Sequence, residues 1–412
     1  MSQYDYAKLR PLEVKPLSDD QGQPILFMRD WLRLAQEHPY FIRPIVWAPL
    51  LMVCDGRHSV AEMCQAYQDY TQMRVEAADV EAVLGWLDSV YLLDNERAKA
   101  AEQAALIAYR QAPNRPAASA GLSYPDDPAT LRQTLQAYID QVPEAEELEN
   151  GLGLISPHID YDRGGLVYAQ VWKRVAKLAR QADCVIILGT DHKSAIPAQI
   201  TLTRQSYATP FGVLPANQAV VEAIADALGQ EAVFQSELHH RDEWSVELAA
   251  VWLHFIRDGE PCPMVPILCG SFEHFIQNGH QPADDDRLQA MVSAIAQATH
   301  GQKVLVVAAG DLAHLGPAFG GDPIDAAGHS QLQQDDNQLL APVYAGDAEG
   351  FFEVIRTEGD SRNVCGTSCI YLAMQIMDSL NGAVNGQLVS YDRCLADEQE
   401  TSFVSVCGVT FS

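Results

Sequence analysis

Three short apolar runs in this chain end alike. Leu152-Gly-Leu-Ile-Ser-Pro-His158 stops at a histidine and turns through Gly164-Gly165 into helix-forming sequence. Cys184-Val-Ile-Ile-Leu-Gly-Thr-Asp191-His192 and Val304-Leu-Val-Val-Ala-Ala-Gly-Asp311-Leu-Ala-His314 repeat the design of apolar strand, glycine or turn, then histidine with a nearby aspartate. Runs this short and this apolar are read as buried strands. In an open α/β sheet ligands gather where strands end, so three neighbouring strands are expected to deliver three histidines to one sheet edge.

Around these runs strands alternate with helices. Helices are expected over Gly164 to Arg180, Ala216 to Leu228 and Glu243 to Ile256, and strands over Ile200 to Thr203 and Met264 to Gly270. A helical run to about Thr357, a helix after Gly366 and a closing strand at Phe403 to Thr410 complete an α/β layout. An amphipathic helix, acidic at its start and ending at Gln141, comes before the first strand.

Residues 1–110 read as a separate small α+β unit, 111–119 as a linker with two prolines and no apolar periodicity, and 120–412 as the main domain. In the first unit, segments Leu9 to Leu17 and Pro24 to Arg29 flank a turn at Asp19 to Gly22, which predicts a hairpin. Trp47 to Asp55 fits a buried helix ending at Gly56. Ser59 with Glu62 three residues later caps the next helix, and Val80 to Leu93 and Ala98 to Ala108 supply two more. The result is a helical domain with a wing. A winged helix raises the question of DNA, but residues 1–115 carry 12 Lys and Arg against 16 Asp and Glu and no basic recognition helix.

The whole chain has a net charge of −28, which disfavours nucleic acid and acidic membrane surfaces as partners, because both bind through cations. No apolar stretch approaches the roughly 18 residues of a membrane span, and the N-terminus lacks the apolar core of a signal peptide. Nine cysteines stand at irregular spacings, several inside strand-like runs, a usage that suits a reducing compartment. These features together predict a cytoplasmic protein.

Neutral imidazole is a ligand for zinc, iron and copper, and histidines from separate strand ends can converge on one ion. His158 and His192 are the first pair. Asn363-Val-Cys365-Gly-Thr-Ser-Cys369 offers a thiol before a glycine at a helix start, where the dipole favours thiolate; Cys365 can ligate metal, act as a nucleophile or simply fill space. Cys369, one turn on, can face the same way. Asp311 and His314 suit proton transfer or support of a ligand. Tyr161 and Asp191 are candidates to line the pocket, although Asp191 can equally face solvent. His239, His240, Asp242 and Glu243 form a polar cluster before a helix, in which Glu243 and Glu247 serve as helix-start residues that can also reach the site.

Two resemblances rest on these residues. Pro157-His158, Gly189-Thr-Asp-His192, Tyr207 to Gly212, Asp242 to Leu248, Val265 to Gly270, Gly310 to Gly316 and Val364 to Gly366, together with Ala120 to Pro125, resemble the Memo family in order across roughly Ala120 to Phe411. The resemblance implies a fold related to the class III extradiol ring-cleaving dioxygenases. It also implies a metal held by the residues matching His158, His192 and Cys365, with Asp311 and His314 beside it. A thiolate stands where those dioxygenases have a carboxylate, so their activity is not inherited with the fold. Where many members carry histidine in a His-Ser-Ile-Glu motif, this chain has Trp244-Ser-Val-Glu247. Separately, Cys54 to Tyr70 and Val80 to Asn95 are similar to winged-helix PqqD-like domains, which hold precursor peptides.

The expectation is a mononuclear metal protein, with Fe(II) first and copper or zinc as alternatives, acting in redox chemistry on a small-molecule or peptide substrate. Family context implies AMMECR-type and radical SAM proteins as partners. The competing expectation is a non-catalytic metal- or ligand-binding protein whose N-terminal domain docks a peptide or protein.

Overall fold

The structure, a computed structural model, describes residues 2–19, 21–35, 40–144 and 146–412. It divides into two compact units, Met1–Gln111 and Ala112–Ser412.

In the first unit β1 (Glu13–Ser18), β2 (Pro24–Arg29) and β3 (Tyr40–Pro44) form an antiparallel sheet in that order. The β1–β2 hairpin occupies the expected segments, and Gly22 N donates to Asp19 O across its turn; Asp20 of that turn lies outside the described residues. Alternation along β2 turns Leu26 and Met28 inward, where they pack with Phe41 of β3 against Met63, Val80, Leu84 and Leu87. Ser59 and Glu62 form a reciprocal cap at the start of the helix Val60–Thr71, followed by helices Ala77–Ser89 and Glu96–Gln111. The helix expected from Trp47 to Asp55 is shorter, a 3₁₀ turn at Ile45–Trp47 running into Ala48–Met52.

The second unit is built on a mixed sheet of β4 (Gly153–Ser156), β5 (Cys184–Thr190), β6 (Ile200–Leu202), β9 (Met264–Cys269), β10 (Val304–Ala309), β11 (His314–Leu315), β12 (Gly386–Leu395) and β13 (Phe403–Phe411); β7 (Tyr207–Thr209) and β8 (Gly212–Leu214) make a separate hairpin. Its order is β11-β13-β4-β10-β5-β9-β6, with β12 paired to β13. Strands β4, β10, β5 and β9 run parallel, whereas β6 joins β9 and β13 joins β4 antiparallel. The chain is therefore α/β, with a central mixed sheet and flanking helices.

Successive residues of a strand point to opposite faces, and β5 shows the consequence. Ile186 and Leu188 enter one core with the helices Gln218–Leu228, Asp286–Ala298, Ala348–Glu358 and Thr367–Asn381, while Val185 and Ile187 enter the other with Tyr161–Arg174 and Trp244–Ile256. Both faces are covered, which is why these strands read as unbroken apolar runs.

Several expectations shift. The three strands that lead to His158, His192 and His314 are neighbours, but in the order β4-β10-β5, so the last of them in sequence lies in the middle. The helix after His158 starts at Tyr161, where the Asp160 side chain accepts from Arg163 N, and breaks at Val175 into Tyr161–Arg174 and Ala176–Gln181. Arg115, in the middle of the expected linker, is fully buried in the second unit, its backbone N donating to Ser206 O at 2.8 Å. A basic side chain between prolines gives no sign of burial until its carboxylate partner, Glu247, is known.

Candidate metal centre

The parallel strands β4, β10 and β5 all end at one edge, and the segments leaving them carry His158, Asp311 with His314, and His192. His158 follows β4. Its backbone N donates to Asp311 Oδ1 at 2.8 Å, and its Nδ1 lies 2.9 Å from Ala309 O at the end of β10. A carbonyl only accepts, so Nδ1 carries the proton and Nε2 keeps its lone pair. His192 follows β5, and its Nδ1 is 3.0 Å from Glu243 Oε1. The two rings are 5.1 Å apart between centroids.

Cys365 comes from the loop before the helix Thr367–Asn381. Its Sγ stands 3.2 Å from His158 Nε2, a separation suited to two ligands of one ion at about 2.0–2.3 Å each. The approach depends on two glycines: a Cβ on Gly310 would meet Gly366 Cα at 2.7 Å, and one on Gly366 would meet Asp311 O at 2.6 Å. Without side chains at both, Gly366 N reaches Asp311 O at 2.9 Å. One ligand atom each from His158, His192 and Cys365 lies within 4.8 Å of the others, and no other such group of His, Cys, Asp or Glu occurs among the described residues.

Electrostatics separates the three. Burial holds His158 below the ordinary imidazole value. Burial also pulls on His192, but the Glu243 carboxylate overcomes it and raises the net value. For Glu243, burial alone would raise the pKa; the charge and hydrogen bond of His192, with Lys193 nearby, bring it down to about 2. The thiolate expected at Cys365 is not favoured. Burial, and after it the Asp311 carboxylate, push the thiol well above its usual value despite the helix start. An ion would have to displace that proton.

The remaining donors fit an ion held here. Both imidazoles spend Nδ1 on protein acceptors, which leaves two Nε2 lone pairs and a sulfur, a mixed set compatible with iron, copper or zinc.

Asp311 and His314 border the same pocket, a space of about 390 Å³ lined also by Ile159, Asp160, Arg163, Trp244, Phe319 and Val404. Asp311 Oδ2 is 3.7 Å from His158 Nε2. His314 lies in β11, with Nδ1 3.1 Å from both Leu312 O and Asn363 O, so Nε2 is its unprotonated nitrogen when the ring is neutral. Burial lowers its pKa and favours that neutral form. Trp244 stacks on His192 at 4.3 Å and 16°, occupying the position where the family resemblance expects histidine. Phe319 meets His314 edge-on at 5.0 Å.

Other candidates lie elsewhere. Tyr161 does not line the pocket: it is 1% exposed, its hydroxyl donates to Leu248 O, and its ring stacks on Tyr124. Glu247 is buried away from the pocket, paired with Arg115 and accepting from Ser119 N at 2.8 Å and Tyr124 Oη at 2.5 Å. Asp191 faces neither solvent nor pocket, and its carboxylate takes His239 Nδ1 at 2.9 Å. His240 is a core residue between Tyr207 Oη and Thr201 O. Cys369 points into the core, with Sγ 3.2 Å from Gly366 O. Glu243 is both a helix cap, accepting from Ser245 N, and the partner of His192. Sequence reading missed Trp244, Phe319 and the Asp160–Arg163 pair at the pocket; the i, i+3 spacing just after His158 was the available sign of that pair.

Comparison with known proteins finds relatives along the whole chain and over the second unit. The chain is 22% identical over 420 residues to a MEMO1 family protein of Aquifex aeolicus, covering 98% of this chain and 99% of that one. It is 26% identical to MEMO1 family protein MK0963 of Methanopyrus kandleri over 67% of this chain and 91% of the relative. A solved chain of the uncharacterized protein JW3007 from Escherichia coli K12 aligns over 63% of this chain and 99% of its own at 13% identity with a TM-score of 0.36, too loose a superposition to assign anything. The family described as Memo-like protein matches residues 115–410, the span that holds the sheet and all three candidate ligands, and the chain belongs to the Memo family.

Proposed function

We propose that His158, His192 and Cys365 hold one metal ion, Fe(II) in preference to copper or zinc, and that the pocket beside it is the active site of a redox enzyme. The observation that supports this reading is the fixed orientation of both imidazoles, each bonded through Nδ1, with a sulfur 3.2 Å from one Nε2. When bound, the ion supplies Lewis-acid or redox chemistry at the pocket floor.

The protein's own groups have separable tasks. Glu243 and Ala309 O fix the ligand tautomers. Asp311 ties the His158 backbone to the Cys365 loop through Gly366. Neutral His314 offers Nε2 as an acceptor for a substrate proton, which it can return later in the cycle. Trp244, Phe319 and Val404 give the pocket an apolar wall that excludes water from one side.

The first unit is proposed as a PqqD-like domain that holds a peptide or protein, with AMMECR-type and radical SAM proteins as partners and the cytoplasm as the setting. Among the described residues no helix is long and apolar enough to cross a membrane.

Anaerobic purification followed by elemental analysis and oxygen-uptake measurement tests the reading. Bound iron that is lost in His158→Ala, with oxygen consumption dependent on added substrate, supports it. Metal-free protein that still captures a peptide through its first unit favours the non-catalytic alternative, and stoichiometric zinc with no oxygen uptake rejects redox chemistry.

A further inference from the structure

Thr190 closes β5 two residues before His192 and touches two parts of the candidate centre at once. Its hydroxyl donates to the backbone carbonyl of Cys365 at 2.9 Å. Its own carbonyl accepts from Ser245 Oγ at 3.0 Å. Ser245 opens the helix whose cap, Glu243, holds Nδ1 of His192. The strand end therefore binds the thiol-bearing loop through a side chain and the imidazole-orienting helix start through its backbone.

This junction is tightly packed. A Cβ on Gly189 would come within 2.5 Å of Ser245 Oγ, so the glycine before Thr190 is what lets the serine reach the strand end. Asp311 links the His158 loop to Gly366, and His314 bonds Asn363 O just ahead of Cys365. Asp311 has no such bond to the His192 loop. The bond from Thr190 to Cys365 joins that loop to the sulfur-bearing one.

We propose that Thr190 is a positioning residue, whose hydroxyl sets the separation of the Cys365 and His192 ligand atoms and so the affinity and electronic character of the bound ion. The inference rests on the reading of His158, His192 and Cys365 as ligands. Serine can make the same bond. Valine has nearly the same shape but no donor, so it leaves the Cys365 carbonyl without this partner and the loop without its tether.

The test uses Co(II) as probe on the full chain, reading affinity by competition with a chelator and the thiolate-to-cobalt absorption in the near ultraviolet. Thr190→Val is expected to weaken Co(II) binding about tenfold and to shift or dim the absorption. Thr190→Ser should restore both, with the metal-free thermal midpoints of the two variants in agreement. Wild-type affinity and absorption in Thr190→Val overturn the proposal, as does a Thr190→Ser protein as impaired as the valine variant. If the valine variant does not fold, Thr190→Ala is compared with Thr190→Ser under the same criteria. Wild-type protein without a thiolate-to-cobalt absorption overturns the ligand assignment itself, and this inference with it, a result distinct from a normal wild type with an unaffected variant.

Discussion

The Glu243 carboxylate stands 3.0 Å from Nδ1 of His192 and decides which ring nitrogen remains for a ligand. Such outer partners also raise ligand basicity. Glu243→Gln keeps a hydrogen-bonding group of the same shape but removes the charge, so metal affinity should fall about 10–100-fold without loss of the fold. Competition titration against a chelator measures it, and an unchanged affinity would separate Glu243 from the centre.

His158→Ala and His192→Ala should each abolish tight metal binding while leaving circular dichroism and thermal unfolding close to the parent's. Both residues follow strand ends and belong to neither hydrophobic core. Near-normal metal content in either variant, read by elemental analysis, rejects the ligand assignment.

Asp311 lies close enough to be mistaken for a ligand, with Oδ2 3.7 Å from His158 Nε2. Its other carboxylate oxygen accepts from the His158 backbone N at 2.8 Å, and the proposed assignment gives it a supporting task instead. Asp311→Asn should retain most of the metal, whereas Cys365→Ser should lose it. Equal losses in the two would move Asp311 into the ligand set.

Glu247→Ala should cost about 3–5 kcal/mol, because it removes the carboxylate opposite a fully buried Arg115 guanidinium. Denaturant titration gives the stability. Metal affinity of the surviving folded protein should match the parent's, and a parallel loss of metal would return Glu247 to the pocket.

Acid should weaken the fold through His240, which burial pushes down to about 3. An unfolded histidine titrates near 6.5, so between about 6.5 and 3 the unfolded chain binds the extra proton. Stability from this group is complete above pH 6.5 and is lost as pH falls toward 3. Between pH 7 and 4.5 the parent should lose on the order of 2 kcal/mol more than His240→Gln, which is less stable throughout but lacks this titration. Parallel stability curves for the two proteins would contradict the assignment.

How far the sequence discloses this arrangement depends on what each residue meets. Apolar strands buried on both faces announce themselves, so β4, β5, β9 and β10 and the histidines after β4 and β5 were legible. Strand β12 was not, since it is half exposed and its residues lack a clean alternation. The sheet order is equally hidden, because nothing in the run Val304 to Ala309 tells that it pairs with β4 on one side and β5 on the other. Charge placement failed for a related reason. Glu243 and Glu247 stand one helical turn apart, yet the first meets His192 and the second meets Arg115, 132 residues away. At Cys365 the helix start was visible in Cys-Gly-Thr-Ser, but the burial and the Asp311 charge that outweigh it come from a distant strand end.

The order of the strands across the sheet differs from the order in which a ribosome makes them. Strand β4 has β10 on one side and β13 on the other, and both are synthesised well after it. During synthesis β4 therefore waits with two unpaired edges while β5 and β9 can already join each other. High contact order of this kind slows folding and leaves apolar strand edges open to aggregation. His158 acquires its Ala309 and Asp311 partners only when β10 is inserted, so the orientation of its ring is fixed late in folding, by a strand made about 150 residues after it.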